Sequence, residues 1–385
     1  MGKDIKITVH ILLSITVGIF LVMFSPEWVY AQDYLDEILE EMDLDEVDES
    51  IKQQEKLPEK FTFRELVDTF VHKGTDGMEQ SALLDYVLDL FFYEIKTARP
   101  LFMELICIAL LFAVFGKLLV TKQQYVSELS FFAVYTGILL LLLKSFSLIA
   151  EVVEKGVGHM ISFMTAFVPV FSTALFLTGN AASSGTFYAT AFGIIYLLEL
   201  GMKVLFLPGV SIFVLILLMD HFFEETRLSK LAQLLEDAIR FLLKFGLAAV
   251  SGLGIVQSLI APAKDRLSNS SIYHGLTAVP GVGNTFGAAG EILMGCGMVI
   301  KNSMGAAALV LLVLIALTPV IKVFGFYVMY RISAALLAPF CDKRIAQSVY
   351  DVGRGCSIYL KVMTTVMLLF FITISMISAS TAFVL

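Results

Sequence analysis

Long apolar segments separated by short polar stretches make up most of the chain beyond residue 100. Each is close to the roughly 20 residues that a helix needs to cross a bilayer, and about ten can be counted. They are residues 101–120, 130–150, 159–178, 186–207, 207–223, 246–261, 276–299, 303–318, 323–340 and 358–379. The pattern predicts an all-α polytopic membrane protein, in which the glycine-rich segments either span the bilayer or are re-entrant.

The first 31 residues have the pattern of a secretory signal peptide. Lys3 and Lys6 precede an apolar core at 11–24, and Val29-Tyr30-Ala31 is a small-x-small cleavage site. Cleavage is the prediction, and a retained helix is the alternative. Residues 32–98 would then form a small acidic helical segment outside the cytoplasmic membrane.

That acidic segment carries much of the charge of the chain. Residues 32–60 hold twelve acidic residues against three lysines, whereas the whole chain has a net charge of −8. Its apolar residues recur at helical spacing. The acidity favours either docking to a partner or a solvated helical arm.

A possible internal repeat divides the membrane part. Residues 147–169 resemble residues 258–280 at a shift of 111, which also maps Pro208 onto Pro319. A repeat of this length is typical of two related helical bundles, parallel or inverted. The chain is predicted to divide into a first span and cytoplasmic linker helix 99–129, membrane repeat one 130–223, an amphipathic interfacial helix 224–245, membrane repeat two 246–340, a second amphipathic helix 341–357, and a last span 358–385.

Charged residues inside the apolar segments are candidates for a pathway lining. A charge in hydrocarbon costs at least about 2.5–3.5 kcal/mol, so it usually faces protein or water. The candidates are Glu199, Lys203, Glu291 and Lys301. An internal ion pair, or snorkelling to the headgroups, is the alternative. The small residues of 281–305 indicate close helix packing or a glycine-lined re-entrant hairpin.

The two amphipathic segments predict a surface for a cytoplasmic partner. In each, a glutamine is followed four residues later by an acid, one turn along the same face. The candidate residues are Lys230, Gln233, Asp237, Arg344, Gln347 and Asp351. Helices that simply pack between spans are the other interpretation. Basic residues are more frequent in the connections predicted to be cytoplasmic, as the positive-inside tendency requires.

No motif points to catalysis, a cofactor or a metal. The chain is 58% hydrophobic with a mean hydropathy of +0.84, and its four cysteines form no CxxC pair. Its five histidines are scattered, and no phosphate-binding loop or HExxH motif occurs. We therefore expect no enzyme and no cofactor. No basic patch is large enough to predict nucleic-acid binding.

The run Gly275-Leu-Thr-Ala-Val-Pro-Gly-Val-Gly283, continued by Gly295-Cys-Gly-Met-Val-Ile-Lys-Asn302, resembles the stage III sporulation protein AE family. The signal peptide and acidic outer segment fit that resemblance. It implies a non-enzymatic component of a trans-envelope, secretion-like channel complex between mother cell and forespore. Implied partners are other membrane proteins, ring-forming components, a cytoplasmic ATPase and membrane lipid. The implied location is the mother-cell membrane or outer forespore membrane. A solute permease with two internal repeats is the alternative function.

Overall fold

The computed structural model describes residues 124–221, 228–277 and 283–380, with shorter stretches between residues 35 and 107. For residues 124–131, 134, 261–262, 266–277, 283–293 and 380 only the backbone is described. The predicted signal peptide and most of the predicted span at 101–120 lie outside the described residues. Within those residues every regular element is helical.

Eight α-helices and one π-helical turn follow one another along the described chain. They are α1 Asp45–Lys52, α2 Phe63–Lys73, α3 Gln124–Leu177, α4 Ala181–Gly201, the π turn Met202–Phe206, α5 Leu207–Asp220, α6 Ser229–Thr277, α7 Gly283–Leu337 and α8 Lys343–Ser380.

Five stretches of helix in the described residues are long and apolar enough to cross a membrane. They are Tyr135–Leu177, Ala181–Asp220, Ser229–Asp265, Met294–Leu337 and Lys343–Ala379, of 37 to 44 residues each. This corrects the count of spans beyond residue 130, because neighbouring predicted spans are fused. The predicted pair 130–150 and 159–178 forms the single helix α3, and 303–318 and 323–340 both belong to α7.

The fused spans show why counting apolar segments overestimates the crossings. Glu151 and Lys155 interrupt the apolar run of α3, but they pair with each other on its surface at 2.7 Å and leave the backbone helical. Lys322 likewise lies inside α7. Lys155 and Lys322 therefore lie within helices, although the apolar segments on either side of each were predicted to be separate spans.

Prolines within these long helices do not end them. Pro169 lies inside α3 and Pro319 inside α7. Pro208, predicted to break its segment, follows the π turn and stands in the first turn of α5. Proline lacks the N–H of an ordinary helical bond, and a wider π turn absorbs such a defect. The chain from Ala181 to Asp220 is consequently one continuous rod.

The rods run up and down in alternation. Gly156 of α3 lies against Pro319 of α7, and a Cβ at Gly305 of α7 would lie 3.6 Å from Phe171 of α3, so these two helices are antiparallel. We call the end with the connection from Asp220 to Ser229 the proximal end. The end with the α3–α4 turn at Gly179 is the distal end.

Helix α7 forms the centre of the bundle. About 72% of its most apolar window is buried, more than in any other candidate span, and it packs mainly on α8 and α3. A Cβ at Gly297 would lie 3.3 Å from the backbone of Leu177. Close packing is thus the role of this small residue, and α7 is continuous from Gly283, which is not the geometry of a re-entrant hairpin.

The leading helices α1 and α2 pack on the distal half of the bundle, against α3 and α7. Phe63 is fully buried with its ring edge-on to Phe167, at 5.8 Å between centroids. Asp48 accepts a hydrogen bond of 2.6 Å from the backbone N–H of Phe63. Burial raises the pKa of Asp48 above its ordinary value of 3.8, against the opposing effect of that hydrogen bond.

The predicted repeat stays a prediction. Residues 130–223 and 246–340 each contain an antiparallel pair of long helices. A shift of 111 residues, however, maps the first turn at 178–180 onto 289–291, which lies inside α7.

Candidate functional site

A network of charged side chains ties α5, α6 and α8 together at the proximal end. Arg354 donates to Glu236 at 2.7 Å and to Asp351 at 3.3 Å. Arg240 also pairs with Glu236, and the Nε2 of His221 lies 2.7 Å from Asp351. Glu236 and Asp351 are buried, so their charges depend on these partners.

We call this network of Glu236, Arg240, Asp351, Arg354 and His221 the clamp. Its two carboxylates are matched by two guanidinium groups, and its residues come from three helices. The guanidinium of Arg354 also lies 5.5 Å from the ring centre of Phe213 on α5. Nearby, buried Asp220 accepts a 2.7 Å hydrogen bond from the backbone of Leu228 and so fixes the start of α6. Among the described residues, no group of His, Cys, Asp and Glu could hold a metal ion.

The structure brings the predicted partner-surface residues to this same end. Lys230, Gln233 and Asp237 are exposed on the first turns of α6. On α8, Gln347 is exposed and Arg344 is half-buried. Asp351 differs, because it is only 2% exposed and is held within the clamp. It is therefore not available to a partner in this conformation.

The predicted pathway residues do not converge. Glu199 and Lys203 form an ion pair of 2.7 Å, with side chains 48% and 66% exposed, and face outward. Lys301 is fully buried in α7. The side chain of Glu291 lies outside the described residues. The arrangement of Glu199 and Lys203 is that of an internal ion pair on the helix surface.

The outward ion pairs lie at a common height, midway along the rods. Lys203 is electrostatically coupled to Glu154 of α3, and Glu151 is coupled to Lys322 of α7. We call the set Glu151, Glu154, Lys155, Glu199, Lys203 and Lys322 the mid-height belt. Apolar stretches of the rods lie on both sides of it, and the charged clamp lies on the proximal side.

At the distal end an acidic side chain from one helix caps another. Asp265 of α6 accepts hydrogen bonds from the backbone N–H groups of Ala182 and Ser183, at 2.7 and 3.0 Å, and from the Ser183 hydroxyl at 2.5 Å. These donors are the otherwise unpaired first turn of α4, whose dipole favours a negative charge. Asp265 is 2% exposed, so the cap is well shielded.

Buried hydroxyl groups join the helices of the proximal half. Tyr135 donates to the carbonyl of Leu218 at 2.6 Å and shares a 2.8 Å hydrogen bond with Ser348. Ser145 and Tyr330 share another, at 2.5 Å. Such contacts satisfy polar groups that lipid cannot. They give the apolar core a fixed register.

Comparison with known proteins gives the family. A match to the family described as Stage III sporulation protein AE covers residues 61–381, most of the chain. The chain belongs to this family. It is 23% identical over 257 residues to the Stage III sporulation protein AE of Bacillus subtilis (strain 168). That alignment covers 66% of this chain and 64% of the relative, so it spans less than two thirds of the curated relative. No solved structure matches.

Membership confirms the resemblance drawn from the glycine-rich run and implies a role in sporulation. Five apolar helices fit a membrane protein. The residues of the clamp, however, were mostly missed in the sequence. His221 was set aside as scattered, and Glu236 and Arg354 were not selected. A signal existed in the spacing of Glu236 and Arg240, four residues apart on one helix.

Proposed function

We propose that this protein is a non-enzymatic membrane component of a trans-envelope channel complex in sporulation, linking mother cell and forespore. Its proposed task is to support forespore development after engulfment. Membership of the sporulation family carries the proposal. A bundle of five long apolar helices, whose buried charges are engaged with one another at the proximal clamp, supports a structural role.

The proposed orientation puts the proximal end in the mother-cell cytoplasm. Lys230, Lys343 and Arg344 lie there, as the positive-inside tendency requires. The leading helices α1 and α2 pack on the distal half, which is where an exported acidic segment would reside. The start of α3, at the proximal end, lies on the other side from α2, as one crossing between residues 73 and 124 would produce.

The proposed partners are other membrane proteins and ring-forming components of the complex, together with a cytoplasmic ATPase. The exposed side chains of Lys230, Gln233 and Asp237 on α6, with Gln347 on α8, would form the cytoplasmic contact. Since the clamp fixes α6 against α8, these side chains hold constant positions relative to one another.

The first experiment is genetic. Deleting the gene in its endospore-forming host should leave vegetative growth unchanged and arrest sporangia after engulfment, with a late forespore reporter silent. The wild-type gene should restore the reporter. A growth-phase transport defect, or normal spores from the deletion strain, would contradict the proposal.

The second experiment tests the surface. Reversing two charges, in Lys230→Glu with Asp237→Lys, should reduce spore yield and co-purification of the complex while the protein accumulates normally. Glu199→Gln changes an exposed pair in the mid-height belt and serves as the matched control. Equal effects of both changes would remove the α6 surface from the proposal.

A further inference from the structure

An open cleft lies between α7 and α8 at the proximal end. Its volume is about 390 Å³, and alanines of both helices line it together with Arg331, Lys343, Gln347 and Tyr350. Small-molecule sites usually have volumes of roughly 300–1,000 Å³, so the cleft is large enough for a ligand group.

The cleft carries positive charge that the described residues leave unmatched. The guanidinium of Arg331 lies 3.8 Å from the ring centre of Tyr350 and 5.3 Å from that of Tyr327, which hold it in place. Its Nε is buried without a hydrogen-bond partner. No acidic residue lines the cleft, and neither Arg331 nor Lys343 forms an ion pair with a described residue.

The surroundings of the cleft are apolar and exposed. Ile332 and Leu336 lie four residues apart near the end of α7, and Phe340 lies in the turn that follows it; they are 48%, 52% and 58% exposed. Ile332 and Leu336 directly follow the cleft residues Arg331 and Ala335 along the chain. A ligand that fits both features has an anionic group and hydrocarbon chains.

We propose that this cleft binds the phosphate group of an anionic phospholipid, whose acyl chains lie on Ile332 and Leu336. Arg331 and Lys343 bind the phosphate, and the alanines of both helices leave room for it. Basic clefts between spanning helices on the cytoplasmic side are suited to such headgroups. The inference rests on the charge and shape of the cleft and on the proposed cytoplasmic position of the proximal end, but not on a role in a channel complex.

The test uses the full chain purified in a neutral detergent. Phosphatidylglycerol and phosphatidylcholine with identical acyl chains are titrated, and bound lipid is counted by native mass spectrometry. Wild-type protein should bind more phosphatidylglycerol than phosphatidylcholine. Lys343→Gln should weaken that binding by about fivefold, the effect of one basic residue at an anionic surface. Arg344→Gln is the matched control, because Arg344 is already paired with Asp342 at 3.6 Å.

A second variant examines the stacked arginine. Arg331→Gln should have an effect like that of Lys343→Gln, and Arg331→Lys should retain part of the affinity, because it keeps the charge but loses the planar stacking. Should Arg331→Gln fail to fold, exposed Lys343 still decides the question. Three results would overturn the proposal: equal binding of the two lipids, unchanged binding in Lys343→Gln, or inorganic phosphate binding as tightly as the lipid.

Discussion

Arg354 holds two buried carboxylates on different helices, and its removal should destabilise the bundle measurably. Arg354→Met keeps much of the side-chain bulk but leaves Glu236 with Arg240 alone and Asp351 with His221 alone. Hydrogen bonds to charged groups contribute about 1.5–3 kcal/mol each, and two are lost. The side chain of Arg354 is 34% exposed, and solvent weakens both hydrogen bonds. The expected loss in the free energy of unfolding is therefore about 2–4 kcal/mol.

Thermal unfolding of the detergent-purified chain measures this loss. Samples are heated to a series of temperatures, and the folded protein left in the soluble fraction is quantified by size-exclusion chromatography. A change of this size should lower the midpoint by roughly 3–5 °C in a chain of this length. Arg344→Met is the control, because its contact with Asp342 is long and half-exposed. It should cost less than about 1 kcal/mol. If the two variants unfolded at the same temperature, the reasoning about the clamp would be refuted.

Three further predictions concern other contacts. Asp265→Ala should cost about 2–4 kcal/mol, since a helix cap is lost and buried N–H groups stay unpaired, whereas Asp265→Asn should cost less. Gly156→Ala should cost about 1–3 kcal/mol, because the new Cβ would lie 2.6 Å from Pro319, in the tightly packed crossing of α3 and α7. Asp48→Asn should stabilise the packing of the leading helices at neutral pH, by removing a buried charge but keeping its hydrogen bond.

Each of these has its own measurement and control. Equal melting temperatures for the Asp265→Ala variant and the wild-type protein would exclude the cap as a stabilising contact. Gly158→Ala is the control for Gly156, because nothing lies within 4 Å of a Cβ there. Protease protection of α1 and α2 is the readout for Asp48. Because its pKa is raised on folding, its contribution is fully present below 3.8 and lost as the pH rises through the folded pKa. Protection that increased over that rise would contradict this sign.

The features that could be predicted from the sequence are the local ones. Hydropathy predicted membrane helices, and the turn between 159–178 and 186–207 lies at Gly179 as expected. The pairing of Glu199 with Lys203 follows from their separation by four residues on one helix. In each case the contact lies within one turn or one connection.

The contacts that were missed join distant parts of the chain. Asp265 reaches Ser183 across 82 residues, and Arg354 reaches Glu236 across 118. Such pairs depend on which helices are neighbours and on the height at which they cross. The periodicity of residues along one helix gives no information about either. The number of crossings was overestimated for a related reason. A surface ion pair interrupts hydropathy in the same way as a loop does.

The mid-height belt sets a limit on how much of the bundle lipid can surround. A helix rises about 1.5 Å per residue, so the 20 residues from Tyr135 to Lys155 extend over about 30 Å, the thickness of the hydrocarbon layer. If the headgroups of one leaflet lay at the proximal end, the belt would lie near those of the other leaflet, and exposed Lys144 and Lys244 would have to reach a polar surface from within the layer. The distal half, of similar length, would then stand outside the layer, with α1 and α2 covering part of it. Apolar side chains there, such as Phe176 and Leu259, at 62% and 70% exposed, would in that arrangement need to be covered by another protein.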